Sequence, residues 1–104
     1  MNVILILTTT DKKSIAYKIG RALLKEKLIA CYSILPAMES TYWWKGKITN
    51  AKEFQVILKT KKGYFTKIEK IIKKLHTYDL PEVISIDIKK AGKDYLKWIN
   101  AELI

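Results

Sequence analysis

Two adjacent tryptophans set against a turn constrain this chain more than any other feature. They lie in Thr41-Tyr42-Trp43-Trp44-Lys45-Gly46-Lys47. Lys45-Gly46 reads as a chain reversal, so the tryptophans close one strand of a hairpin. In an extended strand, neighbouring side chains point to opposite faces of the sheet. One indole is therefore expected in the core of the chain. The other needs a second cover, either a subunit interface or a ligand cleft.

A chain of 104 residues with 49% apolar residues fits one domain around one core, here taken as residues 1–104. No apolar run approaches the roughly 18 residues that span a bilayer. Val3 to Leu7 is apolar, but no Lys or Arg precedes it and Thr8-Thr9-Thr10-Asp11 follows. It reads as a buried strand, not a signal peptide. A single Cys cannot form an internal disulfide, which fits a reducing, cytoplasmic setting. The net charge of +10 comes almost wholly from Lys. It is dispersed over Lys12 to Lys27, Lys67 to Lys74 and Lys89 to Lys97, as expected for solvated helix faces. A polyanion site would gather it, so nucleic acid is not the expected partner.

The periodicities divide the chain in order. Asn2 to Thr9 reads as a central strand. Asp11 is the expected N-cap of a helix striped by Ile15, Ile19, Ala22 and Leu23. Ile29 to Trp44 reads as a long extended segment interrupted by Pro36. Lys47 to Thr60 returns as a strand, with Phe54, Val56 and Leu58 on one face. Gly63 opens a helix carrying Phe65, Ile68, Ile71, Ile72 and Leu75. His76 to Pro81 is a loop, Glu82 to Ile88 a strand, and Gly92 begins a terminal helix with Leu96, Trp98 and Ile99. The fold class is α+β: a ferredoxin-like β-α-β-β-α-β sandwich with a C-terminal helix and a long hairpin between the second and third strands. The hairpin tip, around Tyr42 to Ile48, is longer than a small sheet needs. A lone two-stranded ribbon is marginal in water, so it is expected to pair with a neighbouring subunit, most simply in a ring.

Six phrases, in this order, resemble the CutA family of divalent-cation tolerance proteins. They are Thr8-Thr9, Ala30-Cys31, Ser40 to Lys47, Leu58-Lys59-Thr60, Leu75 to Glu82, and Asp94 to Ile99. The resemblance spans essentially the whole chain. It implies a ferredoxin-like homotrimer whose hairpins extend each neighbour's sheet. It also implies a role in tolerance of copper and other divalent ions, with no established catalytic reaction. The chain departs from the family pattern at Thr77, Ser33, Ala37 and Glu39. Leu7 stands where some members carry a Cys proposed as a copper ligand.

Candidate sites follow from chemistry and from that resemblance. Cys31 and His76 are the only Cys and the only His, and thiolate and imidazole suit copper or zinc. Cys31 is also readable as a small buried hydrophobe, and His76 as a cap on the last carbonyls of its helix. Asp79 and Glu82 supply oxygen ligands from the same loop. Tyr42, Trp43, Trp44, Tyr78, Tyr95 and Trp98 line an expected intersubunit cleft or simply pack an interface. Lys59 offers a cation to an anionic ligand. Lys62-Gly63-Tyr64-Phe65 opens like an RNA-recognition signature but fails after Tyr64. Nucleophilic triads, phosphate loops and HExxH are missing from the sequence. The expected protein is a non-enzymatic, cytoplasmic trimer that binds divalent metal weakly near its subunit cleft, with no obligatory cofactor. The alternatives are a PII-like trimeric sensor of a small ligand, a protein-interaction adaptor, and a polyanion-binding module.

Overall fold

The computed structural model describes residues 2–104. Five strands and three helices follow one another: β1 (Val3–Thr10), α1 (Lys13–Lys25), β2 (Cys31–Ile34), β3 (Met38–Trp44), β4 (Lys47–Lys61), α2 (Phe65–Leu75), β5 (Ile84–Asp87) and α3 (Lys93–Glu102). The strand order is β2-β4-β1-β5, with every pairing antiparallel, and β3 pairs with β4. The fold is thus mixed α+β, an antiparallel sheet with three helices.

β4 does two jobs along its 15 residues. Its second half lies between β1 and β2, through pairs such as Thr8↔Val56 and Tyr32↔Leu58. Its first half, Lys47 to Glu53, pairs with β3 alone among the described residues. That half forms a two-stranded ribbon, reversed by Lys45 at φ 51° and Gly46 at φ 78°. Gly46 suits this left-handed turn because it carries no Cβ to clash.

Alternation decides the main core. Ile4 and Ile6 of β1, with Val56 and Leu58 of β4, point to the face covered by α1 and α2 and are sealed there. α1 contributes Ala16, Ile19 and Leu23, and α2 contributes Ile68 and Ile72. α1 also comes very close to β2. A Cβ on Gly20 would stand 2.6 Å from the Tyr32 ring, so only Gly allows this approach. A smaller cluster of Val3, Ala30 and Ile99 seats α3 against one end of the sheet.

Three expectations are corrected. The cap of α1 is Lys12, not Asp11, and no side chain caps that helix; Asp11 lies in the bend one residue earlier. The extended segment enters the sheet at Cys31 rather than Ile29, and the interruption expected at Pro36, which has no N–H to donate, divides it into β2 and β3. A 3₁₀ turn at Lys62–Tyr64 precedes α2, so Gly63 sits before the α-helix rather than opening it.

Candidate functional site

The ribbon root and the loop after α2 enclose a cleft of about 560 Å³. α2 ends at Leu75, and the His76 N–H bonds the Ile72 carbonyl at 2.8 Å. From there the loop turns back onto β1. The His76 ring directs it: Nε2 donates to the Thr9 carbonyl at 2.6 Å, and Nδ1 accepts the Tyr78 N–H at 3.0 Å. A carbonyl can only accept and an N–H can only donate, which assigns the ring proton to Nε2. His76 thus bonds Thr9 rather than the carbonyls of its own helix, and both ring nitrogens are engaged. To bind a metal it would have to give up one of these bonds.

So pinned, the loop brings Tyr78 to the cleft wall. Its phenol donates to Glu53 Oε2 at 2.6 Å. The Tyr78 pKa is pushed well above its ordinary value, first by burial, then by the bond to Glu53 and by the negative charges of Glu53 and Asp11. Glu53 itself is buried, at 5% exposure. Gln55, two residues on and on the same face, donates to the Thr8 carbonyl at 2.9 Å. Glu53 and Gln55 were not singled out from the sequence. The signal was there: period-two alternation places both on the face opposite Val56 and Leu58.

Of the expected site residues, Tyr42, Trp43, Trp44, Tyr78, Asp79 and Glu82 line this cleft. The expectation that one indole is buried in the core fails. Trp43 is 72% exposed and Trp44 41%, because among the described residues no helix and no third strand covers the ribbon. Trp44 has Lys45 over its ring at 5.9 Å instead.

The remaining candidates gather elsewhere. Cys31 is half-buried opposite Lys59 in the β2–β4 ladder. Lys59 Nζ donates to the Tyr95 hydroxyl at 3.0 Å, and the Tyr95 ring lies 5.5 Å from Trp98. The Lys59 pKa is raised, chiefly by that bond to Tyr95, against an opposing effect of burial. Along β4, Lys59 is four residues from Gln55, which pairs with Thr9. At the rise of a strand that separates Cys31 from the His76 anchor by about 13 Å. The sole thiol and the sole imidazole therefore do not share an ion within one chain. Among the described residues, no three His, Cys, Asp or Glu side chains converge as a metal site.

The profile of the CutA1 divalent ion tolerance protein family matches residues 4–102. The chain belongs to that family. Its likeness to individual CutA proteins agrees. It is 42% identical over 99 residues to the divalent-cation tolerance protein CutA of Pyrococcus horikoshii, covering 95% of this chain and 96% of that one. The crystal structure of CutA from Xylella fastidiosa superposes with a TM-score of 0.95 at 36% identity, over the whole of both chains. A structure described as the periplasmic divalent cation tolerance protein CutA from Archaeoglobus fulgidus gives a TM-score of 0.93 at 34% identity, covering 96% and 97% of the two chains.

Proposed function

We propose that this CutA-family chain acts in divalent-cation tolerance, with copper the principal ion, as a ferredoxin-like homotrimer without enzymatic activity. The family match over residues 4–102 carries the reading. The ribbon supports the assembly. Lys47 to Glu53 has a strand partner on one side only among the described residues, so its other edge offers unpaired N–H and C=O groups to a neighbour. The exposed Trp43 and Trp44 and the open Ile84 and Ile86 supply apolar area for the same contact.

One chain supplies only fragments of a ligand set: the Cys31 thiol in one place, Asp79 and Glu82 in another. In this reading the ion is cargo, held weakly between subunits where fragments from two chains meet. His76 positions the loop that carries Asp79 and Glu82, and it joins the ligand set only by surrendering a bond to Thr9 or Tyr78. The setting is cytoplasmic, on the strength of a single Cys. That the Archaeoglobus relative is described as periplasmic makes cell fractionation the check on this point.

The test is native mass spectrometry during copper(II) and zinc(II) titration. Trimers that take up one ion per chain at low-micromolar metal, with uptake reduced in Asp79→Asn or Cys31→Ser, would support the reading. Trimers that bind no ion, or bind many without saturation, would oppose it and favour a small-ligand or adaptor role.

A further inference from the structure

α1 and α2 pack against each other over one face of the sheet. Basic runs that stand apart in sequence are thereby gathered into one layer. α1 carries Lys13, Lys18, Arg21 and Lys25 and no acid. α2 carries Lys67, Lys70, Lys73 and Lys74 against Glu69 alone. Every one of these cations is exposed. α3, on the other side of the sheet, is balanced, with Lys93 and Lys97 against Asp94 and Glu102. The lopsided charge therefore belongs to one layer and not to a lysine-rich composition at large.

A solvated helix face is ordinarily stabilised by opposite charges three or four residues apart. Among the described residues, Lys73–Glu69 is the ion pair that this layer makes. Elsewhere on it like charges meet at those spacings: Lys18 with Arg21, Arg21 with Lys25, Lys67 with Lys70, and Lys70 with Lys74. Such pairs destabilise a helix. Neither helix has an acid in its first turn, where the macrodipole favours one, and α2 has Lys67 there. This placement opposes the stability of the bare chain, and a polyanion laid across the layer turns the repulsion into attraction. Nucleic acid was set aside from the sequence because the charge is dispersed, and the fold removes that ground.

The chemistry of the layer selects among polyanions. Helices that lie in a membrane surface need a free apolar face, and the apolar stripes of α1 and α2 are sealed in the core. Protein interfaces are depleted in Lys at their centres. Single-strand binders offer aromatic platforms to unstacked bases, whereas Tyr17, the exposed aromatic of these helices, has Arg21 over its ring at 5.2 Å. Lys contacts phosphate as a point charge and carries no base readout by itself. Lys18, Arg21 and Lys25 span seven residues, as do Lys67, Lys70 and Lys74. Each row is about 10 Å long, and the same length of duplex axis carries about three phosphates on each strand. We propose that the outer layer of α1 and α2 binds the phosphate backbone of duplex nucleic acid without regard to sequence. The layer is not the face that the proposed trimer covers, so the inference rests neither on that assembly nor on metal binding.

The experiment is fluorescence anisotropy of a labelled, random-sequence 20-base-pair DNA duplex titrated with the full chain at several salt concentrations. The expected result is saturable binding that weakens by about a hundredfold between 50 and 200 mM salt, as for about four phosphates neutralised. The double variant Lys18→Gln with Lys70→Gln should bind about tenfold more weakly at low salt, with the log–log salt slope lowered by about two. The control is Lys93→Gln with Lys97→Gln, which removes the same charge from α3 and should stay within about twofold of the wild type. Both variants replace exposed Lys by another good helix former, and circular dichroism checks that each is folded. The proposal is overturned by no binding at low salt or by a flat salt slope. Equal losses in the two variants also overturn it, because the charge would then act diffusely. So does tighter binding to phosphatidylserine vesicles than to the duplex at equal salt, which would make a lipid surface the occupant.

Discussion

The two faces of the sheet differ in how far one chain covers them. On the helical face, Ile4, Ile6, Val56 and Leu58 are sealed by α1 and α2. On the opposite face, α3 covers only the end near Val3. Leu5 pairs with Ile86 and Leu7 with Ile84 across β1 and β5, and the two isoleucines are left 47% and 48% exposed. Strand alternation gives both faces apolar side chains, but the chain has helices enough for one. The ribbon is the extreme case: the loop after α2 reaches its root at Glu53, and Trp43 near its tip is left 72% exposed. An apolar face that its own chain does not cover marks where another chain fits, and the proposed trimer rests on this asymmetry.

The comparison is broken or sharpened by substitutions on either side of it. Leu58→Ala, on the sealed face, is expected to cost about 2–5 kcal/mol in urea unfolding, as for a cavity opened in a close-packed core. A cost like that of an exposed site would mean that the face is not sealed. Gly20→Ala is expected to cost about 1–3 kcal/mol, because the new Cβ must displace the Tyr32 ring. Thermal unfolding checks this, and a neutral result would show that α1 can slide away from β2.

His76→Ala is also expected to cost about 1–3 kcal/mol, since it leaves the Thr9 carbonyl and the Tyr78 N–H without their partner. The informative comparison is metal-free stability against metal uptake. Lost uptake with unchanged stability would make His76 a ligand and not a positioning residue. Tyr78→Phe is expected to cost about 0.5–1.5 kcal/mol at neutral pH. The sign of its pH dependence follows from the raised pKa. The unfolded phenol ionises above its ordinary value of 10.0 while the folded one stays protonated. The stability that Tyr78 contributes is therefore fully present below pH 10.0 and is lost as pH rises beyond it. Alkaline denaturation of Tyr78→Phe should show a shallower loss than the wild type. The smallest effect on the chain itself is expected for Trp43→Ala, within about 0.5 kcal/mol for the dissociated chain. The same variant should dissociate at higher protein concentration than the wild type, as measured by size-exclusion light scattering.

Much of the fold was legible because it is locally encoded. The stripe Ile68, Ile72 and Leu75 gives α2, the run Val3 to Leu7 gives β1, and Lys45-Gly46 gives the reversal. β5 proved shorter than the alternation from Glu82 to Ile88 suggests, covering Ile84 to Asp87 on the outer side of β1. The tryptophans show the limit of alternation. It states that Trp43 and Trp44 face opposite ways, but not whether anything lies over either face. That depends on where β4 runs past the end of β1, which is a tertiary fact.

The site was half legible for the same reason. Tyr78, Asp79 and Glu82 sit within five residues of one loop, so they arrive together wherever the loop lands. Cys31 and His76 were considered together because each is the only one of its kind, and chemistry gives no information on distance. Glu53 carries no local signal beyond its place in the strand alternation. Its burial comes from Tyr78, which is 25 residues away in sequence.

The most direct test of the account is sedimentation equilibrium of the wild-type protein beside Ile86→Lys, which places a charge on the open face without entering the sealed core. The account predicts a wild-type mass of three chains at micromolar concentration, and a folded Ile86→Lys variant that dissociates toward single chains. A wild-type protein sedimenting as one chain, or a variant that stays trimeric, would contradict the claim that copies of this chain complete the uncovered face.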